Sequence, residues 1–321
     1  MYTLHYKSKQ FFFVLIKISL VVAAFYVIYQ KLLKNSDLAF SDFVNFSSKN
    51  DLFLLKNMLF LLVLTIFNWF FEILKWQNLV SSIKKISFKL ALKQCLGSLT
   101  ASLFTPNRIG EYGAKAIYFS STFRKHILLI NLLGNLLQMA VTIVFGVIGL
   151  LVFVQTYSIQ INTNKLAILV LAGLLLFIFI RFIFKKGNLN IKGFSIKKLK
   201  DFIYYFPQKK LVLGATYSLI RYLIFSFQFY YVLVLFKVDI GYLDAMTVIT
   251  TMYLLASIIP SIFIFDVVIK GGIAVYLFSI IGVNELVSLS VVTIMWILNF
   301  VIPSIIGSFY VLYFKFPKVN E

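Results

Sequence analysis

Residues 52–74 read LFLLKNMLFLLVLTIFNWFFEIL. About 20 residues at a rise of roughly 1.5 Å each cross the hydrocarbon core of a bilayer, so this run is long enough to span it. Only Lys56 and Glu72 carry charge within it. A helix is the one isolated segment that satisfies its own backbone hydrogen bonds in lipid. The chain of 321 residues is 61% hydrophobic and 18% aromatic, and we read it as an all-α polytopic membrane protein.

Working outward from 52–74, comparable runs lie at 11–31, 127–154, 166–184, 211–236 and 286–314. They predict about six transmembrane helices. The first has no small-residue cleavage pattern and reads as a retained span rather than a signal peptide. Two further apolar stretches, 89–120 and 245–282, are broken near Pro106 and Pro260. Each has the length of two half-crossings, which predicts two re-entrant helical hairpins.

Charge assigns the sides. With the N-terminus inside, the inner segments hold 20 Lys and Arg residues and the outer connections 6, so both termini are expected in the cytoplasm. The hairpins then enter from opposite faces. That is the pattern of an inverted repeat, with halves at about 1–154 and 166–314 of one membrane domain. A formal net charge of +20 could serve nucleic acid, but the cations sit in short segments between spans. Anionic lipid at the cytoplasmic face is the expected partner, and no nucleic acid is. A single Cys95 and two histidines, His5 and His126, offer neither a disulfide nor a metal set, so no cofactor is expected.

The chemistry concentrates in TPNRIGEYGAKAIYF, residues 105–119, where Pro106, Gly110 and Gly113 interrupt the apolar pattern beside Arg108, Glu111 and Lys115. Irregular backbone at membrane depth must be buried in protein or line a wet cavity. The second broken stretch repeats the arrangement. Glu111 and Lys115 stand four apart after Pro106, as Asp266 and Lys270 do after Pro260. On a helix that spacing puts acid and base on one face, either as a salt bridge closing a half-helix or as a functional pair.

TPNRIGEYGAKAIYF resembles the signature of the lysylphosphatidylglycerol synthase transmembrane-region family, also described as flippase-like. IFDVVIKGGIAVYLF, residues 264–278, is similar to its second signature, and Asn68, Trp69, Glu72, Lys75 and Trp76 are similar to its pattern in the second span. Asp266, Val268 and Lys270 depart from the Glu, Gly and Arg that the family pattern implies. The resemblance covers nearly the whole chain and implies a domain that translocates or scrambles a phospholipid or polyprenyl-linked head group between leaflets of the bacterial cytoplasmic membrane. In larger members a soluble domain attaches lysine to phosphatidylglycerol. Seven residues follow the last span here, and 185–210 is too short for a catalytic domain, so that activity is not expected.

The residues expected to bind or gate are Pro106, Arg108, Gly110, Glu111, Lys115, Arg221, Pro260, Asp266 and Lys270. Arg108, Lys115 and Lys270 suit phosphate, helped by half-helix N-termini. Glu111 and Asp266 could hold those cations, bind an amino head group or couple protons. Arg221, about 15 Å into its span, reads as a cavity residue or as a structural cation paired with Glu72. Glu72 has a local alternative in Lys75 or Trp76. Asn131, Asn135 and Gln138 share one helix face and are expected to hydrogen-bond between helices. Asn299 and Pro303 predict a kink whose freed carbonyl is met by a neighbour. Residues 185–210 suggest an interfacial helix on anionic lipid. No enzyme activity is expected. The alternatives are a non-transporting protein partner of a lipid-modifying enzyme or glycosyltransferase, and a membrane-embedded head-group enzyme, which would lack a catalytic set.

Overall fold

A computed structural model of the chain describes residues 51–103, 105, 109–157, 190–191, 194–195, 201–202, 204–259 and 263–315, with side chains of 190–195 and 263–267 outside the description. The expected spans at 11–31 and 166–184 lie outside the described residues, as do Pro106, Arg108 and Pro260.

Helices dominate the described residues. In chain order they are α1 (Leu55–Val80), α2 (Phe88–Ser102), α3 (Ile109–Ala116), α4 (Ser121–Thr156), α5 (Gln208–Leu235), α6 (Tyr242–Ile258), α7 (Phe263–Ile280), α8 (Glu285–Trp296), a π turn (Ile297–Val301) and α9 (Ile302–Leu312). Among the described residues, four helical stretches have the length and apolarity to cross a membrane: α1, α4, α5 and the continuous Glu285–Leu312. The protein is therefore an all-α, integral multi-pass membrane protein. Its 36-residue α4 measures about 54 Å and outruns the bilayer core. The basic Arg124 and Lys125 occupy its first turns.

The broken stretches resolve into helix pairs. The 15 residues of α2 and 17 of α6 reach only about 22 and 25 Å, short of a ~30 Å core. Each is followed, after a break, by a second helix, α3 or α7. At the first break Thr105 joins the two ends. Its hydroxyl donates to the Ser102 carbonyl at 2.9 Å and accepts the Gly110 N–H at 2.8 Å. One side chain thus satisfies an orphan carbonyl of α2 and an orphan amide of α3. Local signals set other starts: Ser87 caps α2 and Asn284 caps α8.

Burial is inverted relative to a soluble protein. On α1, Leu59, Val63, Ile66, Phe67 and Phe70 are exposed, while Asn57, Thr65, Asn68, Glu72 and Lys75 are buried. From Thr65 onward those polar positions fall three or four apart, with Asn57 two turns earlier, and they form one stripe along the helix. An apolar outer face suits lipid, and the stripe faces protein. Two apolar cores flank it. One gathers the last turns of α1 with α2, α3 and the start of α4 around Trp76, Leu79 and Ile127. The other gathers α5 to α8 around Phe229, Ile249 and Phe278.

Glycines bring helices close. A Cβ on Gly307 of α9 would collide with the Leu96 carbonyl of α2, and nearby Thr100 donates to the Ser304 carbonyl at 2.9 Å. Gly146 and Gly149 of α4 make the same kind of approach to Thr250 and Leu254 of α6. Small residues at such crossings are how membrane helices pack without a hydrophobic drive between them.

In the segment 185–210 the structure departs from the single interfacial helix expected there. Residues 190–191 and 194–195 form a two-residue antiparallel ladder, which a continuous helix cannot contain. Farther on, Phe206 is buried in the core around Trp76, while Tyr204 and Tyr205 are exposed. Aromatic side chains with polar tips suit a membrane surface.

Candidate functional site

The α1 stripe organises the site. Glu72 accepts from two cations at once, Lys75 Nζ at 2.7 Å and Arg221 Nη1 at 2.6 Å. Arg221 also donates from Nε to Asn68 Oδ1 at 3.0 Å and from Nη1 to Gln138 Oε1 at 3.4 Å. Both structural alternatives for Glu72 therefore hold together: the local partner one turn on, and the arginine from α5.

One turn past Glu72, the Trp76 ring lies under Lys115, with Nζ 4.3 Å from its centroid. Lys115 donates to Glu111 at 2.6 Å and to Asn131 Oδ1 at 2.8 Å. It is only 2% exposed, an unusual position for an ammonium. Trp76 in turn donates from Nε1 to Gln94 Oε1 at 2.7 Å. Glu111 and Lys115 do share one face of α3, as four-residue spacing requires. Gly110 fits because a Cβ there would sit 2.9 Å from the Ala101 carbonyl. The expectation for Asn131, Asn135 and Gln138 also holds: all three bond to another helix, Asn135 by donating to Tyr112 at 3.0 Å.

Among the described residues, two carboxylates, Glu72 and Glu111, thus face three cations, Lys75, Lys115 and Arg221. Buried charge is tolerated only when paired and hydrogen-bonded, and each of these five is. The Asn131 and Gln94 amide nitrogens are buried without acceptors among the described residues, although their oxygens are engaged.

The π turn connects this cluster to the second half of the molecule. Asn299 accepts from Asn68 at 2.7 Å and donates to Gln228 Oε1 at 2.9 Å, and Gln228 donates to Thr65 at 2.9 Å. The adjacent Phe300 turns to Lys270, whose Nζ is 5.5 Å from its ring centroid. Lys270 lines a cleft with Phe225, Tyr253, Met295, Trp296 and Phe300. Asp266 lies one turn before Lys270 on α7, so its spacing repeats that of Glu111 and Lys115.

Sequence reading missed Thr65, Gln94, Thr105, Gln228 and Trp296. Gln94 and Gln228 were open to detection as amides in apolar runs, the same signal that exposed Asn131. Thr105 offered none, because a threonine beside a proline is an ordinary loop residue.

Neither a curated protein nor a solved structure matches the chain. Residues 14–307, most of the chain, match the family model described as the lysylphosphatidylglycerol synthase TM region. With the broken helices and paired charges in the stretches that carry the resemblance, the chain belongs to the lysylphosphatidylglycerol synthase TM region family.

Proposed function

We propose that the protein translocates or scrambles a phospholipid or lipid-linked head group between leaflets, acting as a carrier and not as an enzyme. The observation that carries this conclusion is the cluster of buried Glu72, Lys75, Glu111 and Lys115 with the partly buried Arg221, inside a bundle with an apolar outer face. Ionisable residues at membrane depth are costly and mark substrate pathways.

On this proposal α2–α3 and α6–α7 are re-entrant hairpins that gate a central cavity from opposite faces, as halves of an inverted repeat. Pro106 and Pro260 make the breaks, Gly110 lets α3 start close to α2, and Arg108 adds a cation at the first break. A phosphate displaces Glu111 from Lys115 and is passed toward Arg221. Glu72 and Glu111 keep those cations in place when no head group is present. Lipid tails stay outside, along the exposed face of α1. The Lys and Arg bias supports cytoplasmic termini in a bacterial inner membrane.

The test is leaflet exchange of a fluorescent phospholipid in liposomes containing the purified protein. Glu111→Gln and Arg108→Ala should each abolish exchange while eluting as folded protein. Wild-type exchange in both variants, or none above empty liposomes with the parent protein, would sink the proposal.

A further inference from the structure

The cleft around Lys270 has three features that the ion cluster does not explain. Its walls are apolar, from Phe225, Met295 and Phe300 among others. One ammonium, Lys270, reaches it beside the Phe300 ring. Trp296 lines it too, and the Trp296 Nε1 is buried with no hydrogen-bond acceptor among the described residues. A buried indole N–H nearly always has a partner, and one lacking it calls for an explanation.

We propose that this cleft is a lipid-binding subsite, in which the Trp296 N–H and the Lys270 ammonium hold a phosphate oxygen while the aromatic walls cover the adjoining acyl carbons. The chemistry selects the ligand. An indole N–H and an ammonium are both donors without acceptor capacity, so together they take an oxyanion. Apolar walls add nothing for a free phosphate but bury hydrocarbon from a lipid. The Lys270 charge disfavours an ammonium head group in the same aromatic setting, where Phe300 already faces a cation.

The subsite deepens the lipid proposal by giving the substrate class a second holding place, beyond Glu111 and Lys115. From Lys270 the contacts run through Phe300 to its neighbour Asn299, then Asn68, Arg221 and Glu72. Occupancy of the cleft is thus placed one residue from the polar network.

Native mass spectrometry of the full chain in mild detergent tests it, with dihexanoyl phosphatidylglycerol as ligand and inorganic phosphate as competitor. The parent protein should retain the lipid, and Trp296→Phe and Lys270→Gln should each weaken retention about tenfold, the loss of one charge-assisted hydrogen bond. Trp296→Phe keeps an aromatic ring while removing the N–H, so it remains informative if Lys270→Gln misfolds. Unchanged retention in Trp296→Phe overturns the subsite. Displacement of lipid by an equal concentration of phosphate overturns the lipid assignment. Retention without leaflet exchange would instead count against transport and leave the subsite standing.

Discussion

The Trp69 indole donates to the carbonyl of Asn299 at 3.2 Å, and that carbonyl is the one Pro303 deprives of its α-helical partner. Proline lacks the N–H that would bond four residues back, so its helix must find another donor or leave a buried acceptor unmet. Here the donor comes from α1, and the backbone relaxes into a π turn over Ile297–Val301.

Trp69→Phe should therefore destabilise the protein by about 1–3 kcal/mol, the usual cost of a buried group left unsatisfied. In a Pro303→Ala background the same change should cost less, because the helix can supply its own N–H. A double-mutant cycle on thermal unfolding measures the coupling, and additive effects would contradict it.

Glu72 is expected to matter more than either of its partners. Removing its charge leaves the buried Lys75 and the partly buried Arg221 without their shared carboxylate, a loss of about 3–5 kcal/mol on the scale of broken buried pairs. Arg221→Gln should cost less, since its side chain is 21% exposed and Lys75 still neutralises Glu72. Melting temperatures of Glu72→Gln and Arg221→Gln should fall in that order.

Reversing the Glu111 and Lys115 charges separates structure from transport. The single variants Glu111→Lys and Lys115→Glu each place like charges four apart on α3 and should lower the melting temperature. Combined, they restore an opposite pair, and the Asn131 amide can turn to donate to the new carboxylate. Stability should recover in the double variant. Leaflet exchange should not, because the cation no longer occupies the Trp76 face.

Gly307→Ala probes the contact between α2 and α9. Its new methyl would collide with the Leu96 carbonyl, which is backbone and cannot rotate away. A loss of about 1–3 kcal/mol is expected, as for other overpacked sites. Gly113→Ala is the matched control, since no described residue lies within 4 Å of its added methyl.

Periodic features were legible in the sequence. The length of apolar runs foretold α1, α4, α5 and Glu285–Leu312, and prolines marked both breaks. Four-residue spacing foretold the Glu111–Lys115 pair, because helix geometry alone brings those positions together. Arg221 and Glu72 stand far apart in sequence, and only the packing of α5 on α1 selects that pairing from several open ones. Trp296 carries no local signal at all, since an indole in an apolar run is as easily a packing residue. The ladder at 190–195 escaped because a short lysine-rich segment has no strong period of either kind.

A π turn holds one residue more than the α-helix it interrupts. Deleting a single residue between Ile297 and Val301 would let a regular helix keep its phase on both sides, but winding the full sequence as regular α-helix would rotate everything beyond the turn by roughly 100°. Gly307 would swing off the Leu96 carbonyl, while the residues before the turn kept their register with α7. The two ends of Glu285–Leu312 are thus phased independently to their neighbours, and the extra residue at Asn299 is the phase correction between them.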